Sequence, residues 1–431
     1  MTIIAPSLTA NRTTPTRSSL PTRRALRCRR ASCIADRTTS VVVVSRHRPV
    51  ALQRCLLGLS QLLQDAFEVV VVCEQNAAQT LRHGPFSDCT KIVAFDEPNI
   101  SRARNLGLAR AAGDIVAFID DDAVPEPTWL TTLTAPIVQN RADATGGFVR
   151  GRNGISFQWK ASTVDQAGRS YMAQPQQDVP ESHVWRTEGT NMAFRRSLLV
   201  DAGGFDERFH FFLEETDLNR RLAARTVIVP EAQVHHGFLA SVRRRSDRVP
   251  TDLQEIGAST ALFLAKHAPA EMQTRLDEVR REQRARLLRH MVAGRLEPRD
   301  IRTILQSLED GILQASTRQE SQPHFPQPPA FLAFRRAQPN TARIFAGHRA
   351  QKALLLAQAK KALDDGTRPT VILFSRDIRY MQVKYVAPGV WLHEGGQFGK
   401  AERHEPFFQF CSLDERIERE TARIGPLRGI G

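Results

Sequence analysis

Ile115-Val116-Ala117-Phe118-Ile119 runs straight into Asp120-Asp121-Asp122. An apolar run bounded by turn residues and lacking polar alternation reads as a strand covered on both faces, the situation in sheets with helices on either side. Three adjacent carboxylates at the exit of such a strand repel one another at neutral pH, so the junction calls for a cation or a donor-rich ligand. Hard oxygen donors of this kind suit Mn2+ or Mg2+. A solvated turn is the competing reading, because Pro125 and Pro127 follow closely.

The residues upstream repeat the same theme. Val41 to Val44 is a second buried strand, Leu52, Leu56, Leu59 and Leu63 mark a helix, and Glu68 to Cys73 is the next strand. Strand, helix and strand at this spacing make a right-handed parallel crossover. Lys91 to Phe95, then Ser101 to Ala112 ended by Gly113, then the Ile115 strand continue the alternation. In such α/β sheets ligands sit beyond the carboxyl ends of the strands, where Glu74 and the aspartates fall.

Further on, helices are predicted over Trp129 to Val138, from near Glu215, and over 252–266, with a strand at Thr226 to Val229. Residues 270–293 and 298–315 read as a helical pair, and Pro and Gln dominate 322–339. Ala342 to Leu363 reads as helix, Thr370 to Phe374 as strand, and the remainder as hairpins. The expected units are a disordered basic tail (1–38), a catalytic domain (39–266), a helical extension (267–316), a Pro/Gln-rich linker (317–340) and a small α+β domain (341–431).

Charge narrows the partners. The net charge is +14, but residues 1–40 hold eight arginines against one aspartate, so +7 of it belongs to the tail. Aromatics are only 7%. Stacking platforms are therefore not indicated, and no specific nucleic-acid partner is expected. The tail's charge suits peripheral contact with an anionic membrane. No apolar run is long enough to span a bilayer, and the six scattered cysteines form no metal or disulfide pattern. A cytoplasmic protein, at most peripheral at the inner membrane face, is the expectation.

Four motifs in order then carry a resemblance. They are the polar exit of the first strand, Val41 to Pro49; Asn99 to Gly107; the aspartate triplet; and Gly189-Thr190-Asn191-Met192-Ala193-Phe194-Arg195, followed by Gly203-Gly204-Phe205-Asp206-Glu207 and Glu214-Glu215-Thr216-Asp217-Leu218. Over about 38–245 the chain resembles an inverting family-2 glycosyltransferase of the GT-A fold, a mixed sheet flanked by helices.

The resemblance implies a sugar moved from a nucleotide-diphosphate sugar to a hydroxyl of a glycan or glycolipid. It implies Asp122, with Asp120 and His236, as ligands of Mn2+ or Mg2+, and Glu215 as the base with Glu214 as its fallback. Ser45, Arg46, Glu74, Arg102, Arg104, Asn105, Asp120 and Asp121 would face the nucleotide sugar, and Gly189, Thr190, Asn191 and Asp217 the donor or acceptor sugar. The second-strand exit, Cys73-Glu74-Gln75-Asn76, departs from the usual Asp pair with Gly, and the base position holds Glu where Asp is usual. Nucleotidyl transfer would also use paired aspartates and a divalent ion, but it gives Glu214-Glu215 no role. An inactive scaffold or polyanion-binding protein is the non-enzymatic alternative.

Overall fold

Alternate valines of the first strand point into two different cores. In this computed structural model, which describes residues 37–430 apart from 238, 240, 241 and 339, that strand is β1 (Thr39–Ser45). The basic tail expected over 1–38 lies outside the described residues up to residue 36. Val41 and Val43 pack against Leu52, Leu56 and Leu59 of α1 (Pro49–Ser60). Val42 packs on the other face with Leu108 and Phe118.

The chain continues through β2 (Phe67–Cys73), α2 (Gln75–Arg82), β3 (Thr90–Ala94), α3 (Ile100–Arg110) and β4 (Ile115–Asp120). These four strands are parallel, in the order β3-β2-β1-β4. A Cβ on Gly107 would meet Val42 Cγ1 at 2.4 Å, so α3 lies closer to β1 than a side chain permits.

Beyond the aspartates come β5 (Ala123–Pro125), α4 (Trp129–Val138), β6 (Ala144–Arg150) and β7 (Phe157–Trp159). A small sheet of β8 (Ser162–Val164), β9 (Ser170–Met172) and β10 (Val184–Trp185) follows. Next are β11 (Met192–Arg195), α5 (Arg196–Asp201), α6 (Glu214–Leu222) and β12 (Thr226–His236). The main sheet is completed in the order β4-β11-β6-β12-β5. It is mixed, because β11 runs antiparallel to both β4 and β6 while β12 is parallel to β6. The strand expected over Thr226 to Val229 and the late strand that the resemblance implies at Pro230 to His236 are one element, in which the register shifts between Val229 and Gln233 and pairing resumes past Pro230.

Helices α7 (Gln254–His267), α8 (Met272–Val292) and α9 (Pro298–Gln314) pack on one another through Leu253, Val279, Leu287, Ile304 and Leu308. The Pro/Gln-rich segment, expected as a linker, is a strap across the start of β2. Phe334 stacks on Phe86 at a centroid distance of 5.2 Å and meets Phe67 at a tilt at 5.6 Å, and its N–H donates to the Phe67 carbonyl at 2.8 Å.

The last region contains β13 (Ala342–His348), α10 (Lys352–Asp364), β14 (Arg368–Ser375), β15 (Gln382–Val386), β16 (Val390–Gly396) and α11 (Leu413–Arg428), with sheet order β13-β14-β16-β15. Two expectations need correction. Ala342 to His348 is a strand, because it pairs in register with Arg368 to Phe374, an edge its local pattern could not reveal. Helix α11 was not expected from its charged composition; Ser412 caps it by accepting from the Glu415 N–H at 3.2 Å.

Candidate active site

The carboxyl ends of β1, β2 and β4 form one edge. Pairing places Asp120 opposite Val44, and Ser45 opposite Cys73, so Ser45, Glu74 and the triplet share it. β12 brings His236 alongside, paired with Ala123. Among the described residues, Asp120, Asp122 and His236 form a cluster whose ligand atoms lie within 4.8 Å of one another. His236 Nε2 is 3.0 Å from Asp122 Oδ1 and 3.7 Å from Asp120 Oδ2.

The imidazole Nδ1 lies 3.1 Å from Gln158 Oε1, a contact that turns Nε2 toward the aspartates. A neutral ring with its proton on Nδ1 would aim the Nε2 lone pair at two carboxylates. That arrangement fits either a proton or a hard cation, so the residues present suit Mn2+ or Mg2+. Burial alone would push His236 down, but the hydrogen bond and charge of Asp122, with Asp120, lift it above its usual value. Asp122 is correspondingly held well below the carboxylate range despite burial, by His236 and by the Leu239 N–H, which donates to Oδ2 at 2.8 Å.

Asp121 faces away from this cluster. It accepts from Ser45 Oγ at 2.8 Å and from Arg48 Nη1 at 3.2 Å, and burial pushes it up to about 7. Ser45 therefore spends its hydroxyl on orienting the triplet.

The second half of the site is the start of α6. Phe212 and Leu213 precede it with φ of 75° and 64°, two consecutive left-handed residues costing of order 1–3 kcal/mol each. Leu213 and Phe209 are held against Leu262 and Phe263 of α7, which keeps the strained turn in place. Glu214 accepts from Arg104 Nη1 at 2.8 Å, and Arg104 Nη2 is 3.8 Å from Asp120 Oδ1. One buried guanidinium thus ties the aspartate cluster to the acid pair. Gly189 makes room for it: a Cβ there would meet Arg104 Nη2 at 2.3 Å.

Glu215 lies 3.6 Å from Arg186 Nη2, and Arg186 Nε is 3.3 Å from Glu188 Oε1. Burial, then the charges of Glu214 and Glu188, push Glu215 up to about 8 against the opposing pull of Arg186. Glu188 is raised too, chiefly by burial. Thr190 is buried, and its hydroxyl has no hydrogen-bond partner among the described residues. Glu74 Oε2, at the β2 exit, lacks one as well.

Several expected residues have other employment. Arg102 is exposed and pairs with Glu97 at 2.7 Å. Arg46 is exposed beside His47. Asn105 clamps the turn at Phe205, donating to its carbonyl and accepting from its N–H, both at 2.8 Å. Asn191 accepts from Trp129 Nε1 and donates to the Phe148 and Ala232 carbonyls, so it is fully used in pinning three elements. Asp217 is buried between Lys266, His267 and Arg221 at 2.7–2.8 Å, which hold it below its usual value and lock α6 to α7. Sequence reading missed Arg48, Gln158, Arg186 and Glu188. Two of them carried a signal, Arg48 inside the Val41 to Pro49 motif and Glu188 beside the Gly189-Thr190 motif; Gln158 and Arg186 lie on a short strand and in a loop.

Comparison with known proteins adds the family. Residues 40–202 match the family model of glycosyl transferase family 2. The chain is 29% identical over 220 residues to the pre-mycofactocin glycosyltransferase of Mycobacterium tuberculosis, covering 48% of this chain and 44% of that protein. It is 29% identical over 155 residues to a glucosyl-dolichyl phosphate glucuronosyltransferase of Haloferax volcanii, covering 33% and 47%. The chain thus spans less than half the length of these relatives. A crystal structure of S. aureus TarS in complex with UDP aligns with a TM-score of 0.41 and 17% identity over 64% of this chain and 80% of that one. The strand-exit aspartates lie inside the matched segment, so residues 40–202 are the part of the chain that carries the glycosyl transferase family 2 match.

Proposed function

We propose that the chain transfers a sugar, with inversion, from a nucleotide-diphosphate sugar to a hydroxyl of a glycan or glycolipid. The observation that carries this reading is the buried bridge of Arg104 between Asp120 and Glu214, which sets a cation-binding carboxylate cluster beside an acid pair. Asp120, Asp122 and His236 would hold Mn2+ or Mg2+. A divalent ion there supplies positive charge against the departing diphosphate.

The chain's own residues do the rest. Glu215, at the N-terminus of α6, takes the acceptor proton on its carboxylate as the hydroxyl oxygen attacks the anomeric carbon from the face opposite the leaving group. Arg186 keeps Glu215 oriented and favours its charged form. Glu74 Oε2 and Thr190 Oγ1, buried and without a hydrogen-bond partner among the described residues, would take up the nucleoside and the sugar. A thermal-shift panel of UDP-, GDP- and dTDP-sugars, with and without Mn2+, tests the reading. One donor raising the melting temperature only with the metal supports it, because ligand bound to the native state stabilises by mass action. No shift with any donor overturns it.

A further inference from the structure

The C-terminal region carries an aromatic surface that the proposed chemistry does not use. Phe407, Phe408 and Phe410 are 59%, 53% and 82% exposed, and Tyr380 is 55% exposed. They are not loose: Phe410 stacks on Phe398 with centroids 5.6 Å apart, Phe408 meets Phe398 at a tilt at 5.8 Å, and Phe407 meets Tyr380 at 6.4 Å. The two loops interlock, since the Phe398 N–H donates to the Asp377 carbonyl at 3.1 Å.

The chemistry around the rings selects the occupant. The polar side chains between them are tied to their own loops: Arg379, 61% exposed, pairs with Asp377 at 2.9 Å, Gln409 accepts from Arg419, and Glu405 accepts from the Ala401 and Glu402 amides. Glu402 is neutralised by Arg150 and Arg423, each at 3.7 Å, which leaves the exposed cations Arg376 and Arg403 at the rim. Protruding rings with a cationic rim fit a fluid apolar layer beneath phosphate headgroups better than the matched contours a protein partner requires.

The surface also adjoins the site. Arg403 Nε donates to Ser156 Oγ at 3.2 Å, and the next strand, β7, carries the Gln158 that holds His236.

We propose that Phe407, Phe408, Phe410 and Tyr380 dock the protein on an anionic phospholipid bilayer. Under the transfer reading this brings the site to an acceptor carried in the membrane, but the docking is tested without catalysis and stands or falls separately. The full chain is sedimented with phosphatidylcholine vesicles, with and without phosphatidylglycerol, at about 1 M salt, where the Debye length of about 3 Å screens the arginine tail. The parent protein co-sediments. Each of Phe407→Ser, Phe408→Ser and Phe410→Ser weakens partitioning by about tenfold while the melting temperature is retained. Phe410→Trp binds as the parent does, and its added fluorescence is quenched by brominated lipid. Failure of the parent to bind, equal binding by the serine variants, or an unquenched indole signal from the Phe410→Trp variant overturns the proposal. So does a parent dimer, seen by light scattering, that the serine variants dissolve without any lipid binding.

Discussion

His235 and His236 are neighbours on β12, yet they end in buried charge clusters of opposite character. His235 Nε2 is 2.8 Å from Glu126 Oε1, and Glu126 also accepts from Arg428 Nε at 2.9 Å, whose guanidinium lies 4.3 Å from the Trp391 ring centre. This cluster joins the catalytic domain to the C-terminal region. Burial would raise Glu126, but Arg428 and His235 overcome it and hold the carboxyl well below its usual range. Glu420 behaves likewise with Arg423 and His393. Around His236 the balance is split: Asp122 is held low by His236 and the Leu239 N–H, but the carboxylates around it go the other way. Asp120, Glu188 and Glu215 are all raised, because burial and like charges outweigh the arginines present. A closed circuit of ion pairs marks an interface; a surplus of buried carboxylates marks a place where a ligand must bring positive charge or remove a proton.

The sharpest way to break this contrast is Glu215→Gln, which should leave donor binding intact by calorimetry while turnover falls by about 10³-fold. Turnover near that of the parent would return Glu215 to a helix-capping role. Arg428→Met probes the other cluster. Leaving Glu126 buried without its main partner should cost about 3–5 kcal/mol in denaturant unfolding, with the remaining folded molecules still able to bind donor.

Asp122→Asn should abolish the Mn2+-dependent part of any donor-induced melting shift, whereas Asp121→Asn should keep it, since Asp121 faces Ser45 and Arg48. The pH profile separates the clusters further. A base must be ionised, so with Glu215 pushed up to about 8, kcat/KM should rise with pH and level off above that region. Arg186 favours the ionised form, and Arg186→Gln should move the limb to higher pH. A limb that stays in place denies Arg186 that role. Smallest of all is Arg102→Ala, whose half-exposed pair with Glu97 should change stability by less than about 1 kcal/mol and turnover hardly at all.

How much of this was legible depended on range. The alternation of valine-rich strands with leucine-spaced helices is a local signal, and β1 to β4 follow it closely. Carboxylates at a strand exit are equally local, which is why the Asp120–Asp122 edge was visible. Asn191 and Asp217 sat in the right motifs, but their partners Trp129, Ala232, Lys266 and His267 are distant in sequence, and those partners consume them. Arg102 and Arg104 are two positions apart on α3 and looked alike. The helix turns one toward solvent and Glu97, the other inward to Asp120 and Glu214.

The amino-acid order by itself determined the layered α/β scaffold, the strand exits that concentrate acid, and the family match over 40–202. Periodicity and turn chemistry act over a few residues, so the chain carries them openly. Tertiary structure alone decided which carboxylates meet cations. It set Arg104 against Glu214, 110 positions away, turned His235 and His236 to opposite clusters, and folded the Phe398–Phe410 loop beside β7. Burial and distance fix the charge of a side chain, and both exist only once the strands have paired.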